Sequence, residues 1–289
     1  MPTHAFRIVN VFAETPFGGN PLAVFEDARG IDDPTMQALA LQFNLSETTF
    51  ILPSDRATAR VRIFTPTFEM PFAGHPTLGT AHVVRALKTS GDAVTLEMSA
   101  GIIPVQAHGD RWTLQANAPR FRAVAATRAE LAAMLVLAEA DVAPDPGAPP
   151  LWVDTGSEQL VIPLASVDAI GRAAPRADLL LAYGHTGQRA MAYVFAPATS
   201  VPAAAERAMV TRFFFPKHGA VIEDPGTGSA CANLGGWLIA TGASLPQRMT
   251  IAQGDAVGRP CRLGLEVTAE RRIRVSGRVV EIARGTVTL

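Results

Sequence analysis

The feature that most constrains this chain is that it carries one pattern twice. Residues 62–88, RIFTPTFEMPFAGHPTLGTAHVVRALK, follow a strand pattern (Val61 to Thr65) with a Pro-punctuated loop and a turn of small residues, Ala73-Gly74-His75. A helical pattern then runs through Leu78, Ala81, Val84 and Leu87. Residues 211–242, TRFFFPKHGAVIEDPGTGSACANLGGWLIATG, repeat that order. Phe213-Phe214-Phe215-Pro216 echoes Ile63-Phe64-Thr65-Pro66, and Gly228-Ser229 stands where Gly74-His75 stood, an offset of 154 residues. Downstream, Thr95 to Gly101 matches Thr250 to Gly258. Upstream, Gly19 to Val24 is echoed more weakly by Gly156 to Val161. Four matches in one order imply a duplicated unit, so 289 residues read as two domains. With 48% hydrophobic and 18% charged residues, each half can bury a core around its own apolar helix.

A tight turn feeding a helix leaves several backbone N–H groups pointing at one spot, and the helix dipole behind them favours an anion there. The turns at Gly74-His75 and Gly228-Ser229 are therefore candidate anion sites. In the first copy Pro76 is predicted at the first helical position, where its missing N–H would be unpaired anyway, and Gly91 supplies a stop.

Charge and composition exclude several classes. The formal net charge is −1 with no basic tract, which gives no sign of nucleic-acid or anionic-membrane binding. No apolar run approaches the roughly 20 residues of a membrane span, and the first residues lack the pattern of a secretory leader, so a cytoplasmic protein is expected. The six histidines show no metal-binding spacing. Lys88 and Lys217 are the only lysines, and neither lies in an apolar pattern that would suit imine chemistry. Neither metal nor cofactor is expected. Cys231 and Cys261 read as small buried fillers, with Cys231 near enough to the second turn to touch a ligand.

Taken in order, Phe6 to Val11 and Leu22 to Phe25 form a hairpin-like pair, and a helix opened by Pro34 is closed by Asn44. Glu47 then begins the strand that ends at Leu52. Val94 to Met98, Ile102 to Gln106 and Trp112 to Gln115 complete the first half. Thr127 to Glu130 is a capping box opening a helix, and Ala143 to Pro150 reads as a linker or exposed loop. In the second half, strands are predicted at Leu151 to Asp154, Leu160 to Pro163, Leu179 to Tyr183 and Met191 to Phe195. Helices are predicted near Val167 to Arg172 and at Ala203 to Val210. After a strand at Arg271 to Val275, the tail reads as two short strands, Arg278 to Ile282 and Thr286 to Leu289.

Among the polar residues, Glu47 sits beside Leu45, Phe50 and Ile51. Partial desolvation there would raise its pKa and let it hold a transferable proton; otherwise it is an ordinary exposed glutamate. His75, at a helix N-terminus, should stay neutral. Asp224 either bonds a ligand or serves the Asp-Pro turn. Ser229 is an anion-binding hydroxyl, the N-cap of the second helix, or both. Gly226-Thr227-Gly228 lacks the third glycine of a dinucleotide loop, and neither a P-loop nor a Gly-x-Ser-x-Gly elbow is present.

Four segments, PFGGNPLAVF (16–25), NLSETTF (44–50), RIFTPTFEMPFAGHPTLG (62–79) and RFFFPKHGAVIEDPGTGSA (212–230), together resemble the phenazine-biosynthesis PhzF-like family over nearly the whole chain. The resemblance implies an α+β fold like that of diaminopimelate epimerase. Such a fold has two pseudo-symmetric lobes, each a mixed β-sheet wrapped around a central helix, with the site in the cleft between them. It implies that Glu47 is the proton-transferring acid/base, with His75, Asp224 and Ser229 lining the cleft, and a homodimer without cofactor or metal. The lobes would be residues 1–118, joined by returning strands 278–289, and 119–277.

Amino-acid epimerases of that fold use two thiols, one just before each helix-N-terminal turn. The corresponding places here are Ala73 and Pro225 or Gly226, and no thiol stands at them. Two-base epimerisation lacks its bases, while Glu47 alone can move a proton between two carbons on one face. The sequence therefore reads as a cofactor-free isomerase acting on a small carboxylic acid held by Gly74, His75, Gly228, Ser229 and Asp224. The alternatives are an amino-acid racemase or epimerase, and a ligand-binding relative without turnover.

Overall fold

The computed structural model describes residues 1–88, 91–187, 189–198 and 207–289. The chain divides into two compact units, Met1–Gln115 with Ser276–Leu289, and Ala116–Val275.

In the first unit, β1 (Thr3–Val11) pairs antiparallel with β2 (Asn20–Phe25). The connection closes at Gly19, whose φ is +78° and where a Cβ would lie 2.7 Å from Ala13 Cβ and from the Val11 carbonyl. Only glycine fits both demands. Helix α1 (Asp33–Phe43) is capped by the Asp32 side chain and ends on left-handed Asn44. It leads into β3 (Glu47–Leu52), parallel to β2, and β4 (Ala59–Phe64), antiparallel to β3. A short β5 (Glu69–Met70) folds back on β4 before α2 (Gly74–Lys88). After α2, β6 (Ala93–Met98) lies parallel to β4, followed by antiparallel β7 (Gly101–His108) and β8 (Arg111–Gln115).

Helix α2 is buried nearly all round, from His75 to Ala81 and again at Val83 and Val84. A helix apolar or small on every side needs cover on every side, and the curled sheet supplies it. Closest approach is at Gly79, where a Cβ would meet Leu22 at 2.7 Å and Val11 at 2.9 Å. The hydroxyls buried with the helix are satisfied locally: Thr77 donates to the Ala73 carbonyl (2.7 Å) and Thr80 bonds Thr49 (2.8 Å). Phe25, Phe43, Phe50 and Phe64 pack between sheet and α1, with Phe25 and Phe50 stacked at 4.8 Å.

The second unit repeats these pairings. Edge strand β9 (Arg120–Ala123) and helix α3 (Arg128–Leu135), opened by the Thr127–Glu130 capping box, precede β10 (Leu151–Asp154). Antiparallel to β10 is β11 (Glu158–Pro163), and after α4 (Val167–Arg172) and α5 (Ala177–Tyr183) comes β12 (Ala192–Pro197), parallel to β11. Then β13 (Arg207–Lys217) runs antiparallel to β12, and β14 (Ala220–Asp224) folds back on it. Helix α6 (Gly228–Ala240) and β15 (Gln247–Gln253), parallel to β13, precede antiparallel β16 (Cys261–Val267). The pairing senses match the first unit step for step, and α2 and α6 begin at Gly74 and Gly228, 154 residues apart.

Last comes β17 (Ile273–Thr288), one strand rather than the predicted sequence of short ones. Its later part pairs with β1 from Val11↔Val279 to Thr3↔Thr288, and a bulge at Ile282, opposite Ile8 and Val9, lets it continue without a break.

Other expectations need correction. Leu179 to Tyr183 is helical: Leu179, Leu180 and Tyr183 pack against the core while Leu181 is exposed, a one-sided pattern that suits α5 better than a buried strand. Residues 207–210 are strand, and the rest of the helix predicted at 203–210 lies outside the described residues. Helix α2 starts two residues before Pro76. Of the two readings of 143–150 the exposed loop holds and the linker does not: it lies within the second unit, where Trp237 Nε1 donates to the Pro149 carbonyl at 2.8 Å.

Candidate active site

In the first unit, the start of β3 brings Glu47 to the start of α2. Glu47 opens the strand in register with Leu22, its side chain 15% exposed, and its Oε2 lies 3.4 Å from Nε2 of His75, the second residue of the helix. Gly74 forms the first residue of that helix, so the sequence-derived candidates Glu47, Gly74 and His75 do converge.

His75 is buried among apolar neighbours, and burial drives its imidazole down to about 3, only partly opposed by a hydrogen bond to the Pro21 backbone. The contact with Glu47 is therefore not an ion pair, which would need an imidazolium. Proline offers only a carbonyl, which accepts, so the ring nitrogen that meets it carries the proton. Nδ1 lies 3.5 Å from the Asn20 amide nitrogen, and Nε2 faces Glu47. Asn20, fully buried, also accepts from Ser46 at 3.5 Å, so residues flanking Glu47 and His75 meet on one amide.

This geometry sets a pH dependence. An unfolded histidine takes up its proton near 6.5, whereas His75 in the folded chain resists it down to about 3. Between those values the unfolded state binds the extra proton. Stability is fully present above 6.5 and falls as pH drops toward 3. Urea unfolding at pH 7.5 and 5.0 should show this loss, and His75→Asn should make the loss smaller; an equal loss in both proteins would remove His75 as its source.

The second unit gathers Asp224, Gly228 and Ser229. Asp224 ends β14, and its Oδ2 accepts a short hydrogen bond from Thr227 Oγ1. Gln253, on β15 and 1% exposed, clamps the turn: its Nε2 donates to the Asp224 carbonyl (2.8 Å) and to Thr227 Oγ1 (3.0 Å), while its Oε1 accepts from the Thr227 N–H (3.3 Å). Asp224 is thus a turn residue in its contacts with Thr227. The N-cap position belongs to Thr227, not Ser229, and Thr227 makes no side-chain cap because its hydroxyl is directed to Asp224. The first N–H groups of α6 are left uncapped by that side chain. Ser229 lies within the helix and accepts from Gln159 at 2.9 Å.

Comparing the two units sharpens the chemistry. Leu22 lies against Gly79 of α2 as Gln159 bonds Asn233 of α6, and stepping the register Leu160↔Ala192 back by one places Met191 opposite Gln159, so a methionine stands at the counterpart of Glu47. The residue ahead of each central helix is Ala73 in one unit and Thr227, which follows Pro225 and Gly226, in the other. Neither is a thiol. Cys231 is fully buried in α6, and burial pushes its thiol, like that of Cys261, well up. Asn20, Gln159, Asn233 and Gln253 were missed from sequence because a buried amide has no local signature; its role comes from partners far along the chain.

Residues 9–285 match the family described as phenazine biosynthesis-like protein. An uncharacterized isomerase of Pasteurella multocida is 37% identical over 98% of this chain and 93% of its own length. The trans-2,3-dihydro-3-hydroxyanthranilate isomerase of Pseudomonas fluorescens is 34% identical over 99% of this chain and all of its own. Among solved structures, a PhzF-family phenazine biosynthesis protein of Bacillus anthracis is similar over the whole of both chains, with a TM-score of 0.88 at 26% identity. The fold and these relatives define a mixed α+β isomerase. The chain belongs to the PhzF-like phenazine biosynthesis family.

Proposed function

We propose that this isomerase moves a proton between two carbons of a small unsaturated carboxylic acid, with Glu47 as its single acid/base. The observation that carries the reading is the pairing of Glu47 with a neutral His75, while Met191 occupies the corresponding place in the second unit. Glu47 takes a proton from one carbon. The released electron pair forms a new double bond, the existing double bond shifts, and its far carbon takes the proton back. Composition and oxidation state are unchanged, so the step calls for no redox partner. A neutral His75 puts no positive charge beside Glu47 to hold it ionised, so the carboxyl can carry the proton between the two carbons.

Asp224 is proposed to accept a hydrogen bond from a substrate amine or hydroxyl. Gly74, His75, Gly228 and Ser229 are proposed to bind the carboxylate through the helix N-termini. The relatives' substrate, trans-2,3-dihydro-3-hydroxyanthranilate, has both groups and is the first compound to test. The expected result is its conversion to an isomer with a displaced double bond, followed by NMR. Inversion of an amino acid with full solvent label, and no action on this compound, would replace the reading with racemisation. Binding should also weaken at least about tenfold when the carboxylate is made an amide, since hydrogen bonds to a charged group exceed those to a neutral one by that order. Equal affinity for acid and amide would remove the anion site.

A further inference from the structure

Ser229 ends a chain of buried side chains whose hydrogen-bond direction is fixed at its far end. Asn233, fully buried in the middle of α6, accepts at Oδ1 from the Thr155 backbone N–H (2.9 Å) and from Thr155 Oγ1 (2.7 Å). Its Nδ2 donates to the Ser157 carbonyl (2.9 Å) and to Gln159 Oε1 (2.9 Å). A backbone N–H can only donate and a backbone carbonyl can only accept, so the Asn233 amide has one allowed orientation. That orientation dictates the next. With its Oε1 facing Asn233, Gln159, 1% exposed, must present Nε2 to Ser229, and it does so at 2.9 Å.

The Ser229 oxygen is thereby made an acceptor on its inner side, and its own hydrogen is directed off the network. Among the described residues, Ser229 Oγ makes no other side-chain hydrogen bond. We propose that Asn233 and Gln159 are positioning residues that make Ser229 an obligate hydrogen-bond donor to the bound ligand, so that the second unit selects a carboxylate oxygen and disfavours a donor such as an amide NH₂ in the same place. The proposal rests on the reading of Ser229 as a ligand-binding residue. It also accounts for an asparagine at the centre of a helix that beyond Ser229 is otherwise made of Ala, Cys, Gly, Leu, Ile and Trp: a polar side chain that deep is tolerable only when every hydrogen-bonding group is used, and Asn233 uses both its donors and its acceptor.

Two measurements test it. Neutron diffraction of the deuterated protein locates the hydrogens without any ligand. Deuterium on Gln159 Nε2 pointing at Ser229, with the Ser229 deuteron turned away, is the expected map; a Ser229 deuteron pointing at Gln159 overturns the proposal. The second uses anthranilate and anthranilamide as probes in calorimetry. Gln159→Glu keeps the shape but offers only acceptors, so it should draw the Ser229 hydrogen inward. It is expected to lower the preference for acid over amide about tenfold, as Ser229→Ala should. In the Ser229→Ala background, Gln159→Glu should then change nothing further, whereas a merely structural role would add to the loss. An additive loss overturns the proposal. If wild-type protein binds neither probe, the ligand class under Proposed function fails, and the neutron map still decides the direction of the chain.

Discussion

Replacing Glu47 by glutamine is expected to leave the protein folded and to lower turnover about 10²- to 10⁴-fold, the usual cost of removing a general acid/base. The amide is nearly the same shape and can still meet His75 Nε2 through its NH₂, so the loss should fall on kcat rather than on KM. In D₂O the wild-type reaction should place less than one solvent deuteron at the receiving carbon, because a single carboxyl returns part of the proton that it removed. A two-base reaction would give complete labelling. Turnover by Glu47→Gln at the wild-type rate would eliminate this residue, and the one-base mechanism with it. Met191→Glu is the complementary test: a carboxylate placed at the counterpart position should not rescue Glu47→Gln, since α6 carries Ser229 where α2 carries His75.

The second large effect is expected at Gly254. Its φ is +81°, and a Cβ there would lie 2.4 Å from the carbonyl oxygens of both Pro225 and Arg259. Those are backbone atoms and cannot rotate away. Gly254→Ala should cost about 2–4 kcal/mol, combining the left-handed penalty with overpacking. Gly258 provides the control. It closes the same 3-10 turn with φ +69° but has no atom near a new Cβ, so Gly258→Ala should cost only about 1 kcal/mol. Chemical denaturation reads both. Because Pro225 follows Asp224 directly, the Gly254 variant should lose ligand affinity beyond its loss of stability; equal effects of the two substitutions would mean that the close approach is not what holds this turn.

Much of the fold could be read from the sequence because duplication tests itself. The Gly74 and Gly228 turns, the strands around them and the Thr127 capping box were all marked by local chemistry or by a second copy. What escaped was decided at long range. Leu179 to Tyr183 lacks any helix-specific residue at its start, where Arg176 makes no side-chain cap, so its apolar run reads equally well as strand. The continuity of β17 depends on a bulge at its own Ile282, where it passes β1. The candidate site divides in the same way. Glu47, His75, Asp224 and Ser229 carry recognisable functional groups beside recognisable turns, whereas Asn20, Gln159, Asn233 and Gln253 matter through which hydrogen they point at which oxygen. No spacing in the chain encodes that.

The long closing strand also bears on the order in which the molecule can be made. Residues 116–275 form an uninterrupted stretch, and all of it is synthesised before residues 276–289. The first unit, begun at Met1, keeps the outer edge of β1 from Thr3 to Val11 without its neighbour until those last residues arrive. The unit carrying Asp224 and Ser229 is therefore complete in sequence before the first can be closed. The unit carrying Glu47 must wait with an unpaired strand edge, the kind of surface through which chains aggregate. A chain cut before residue 276 would hold the whole of the second unit and leave the β1 edge of the first open.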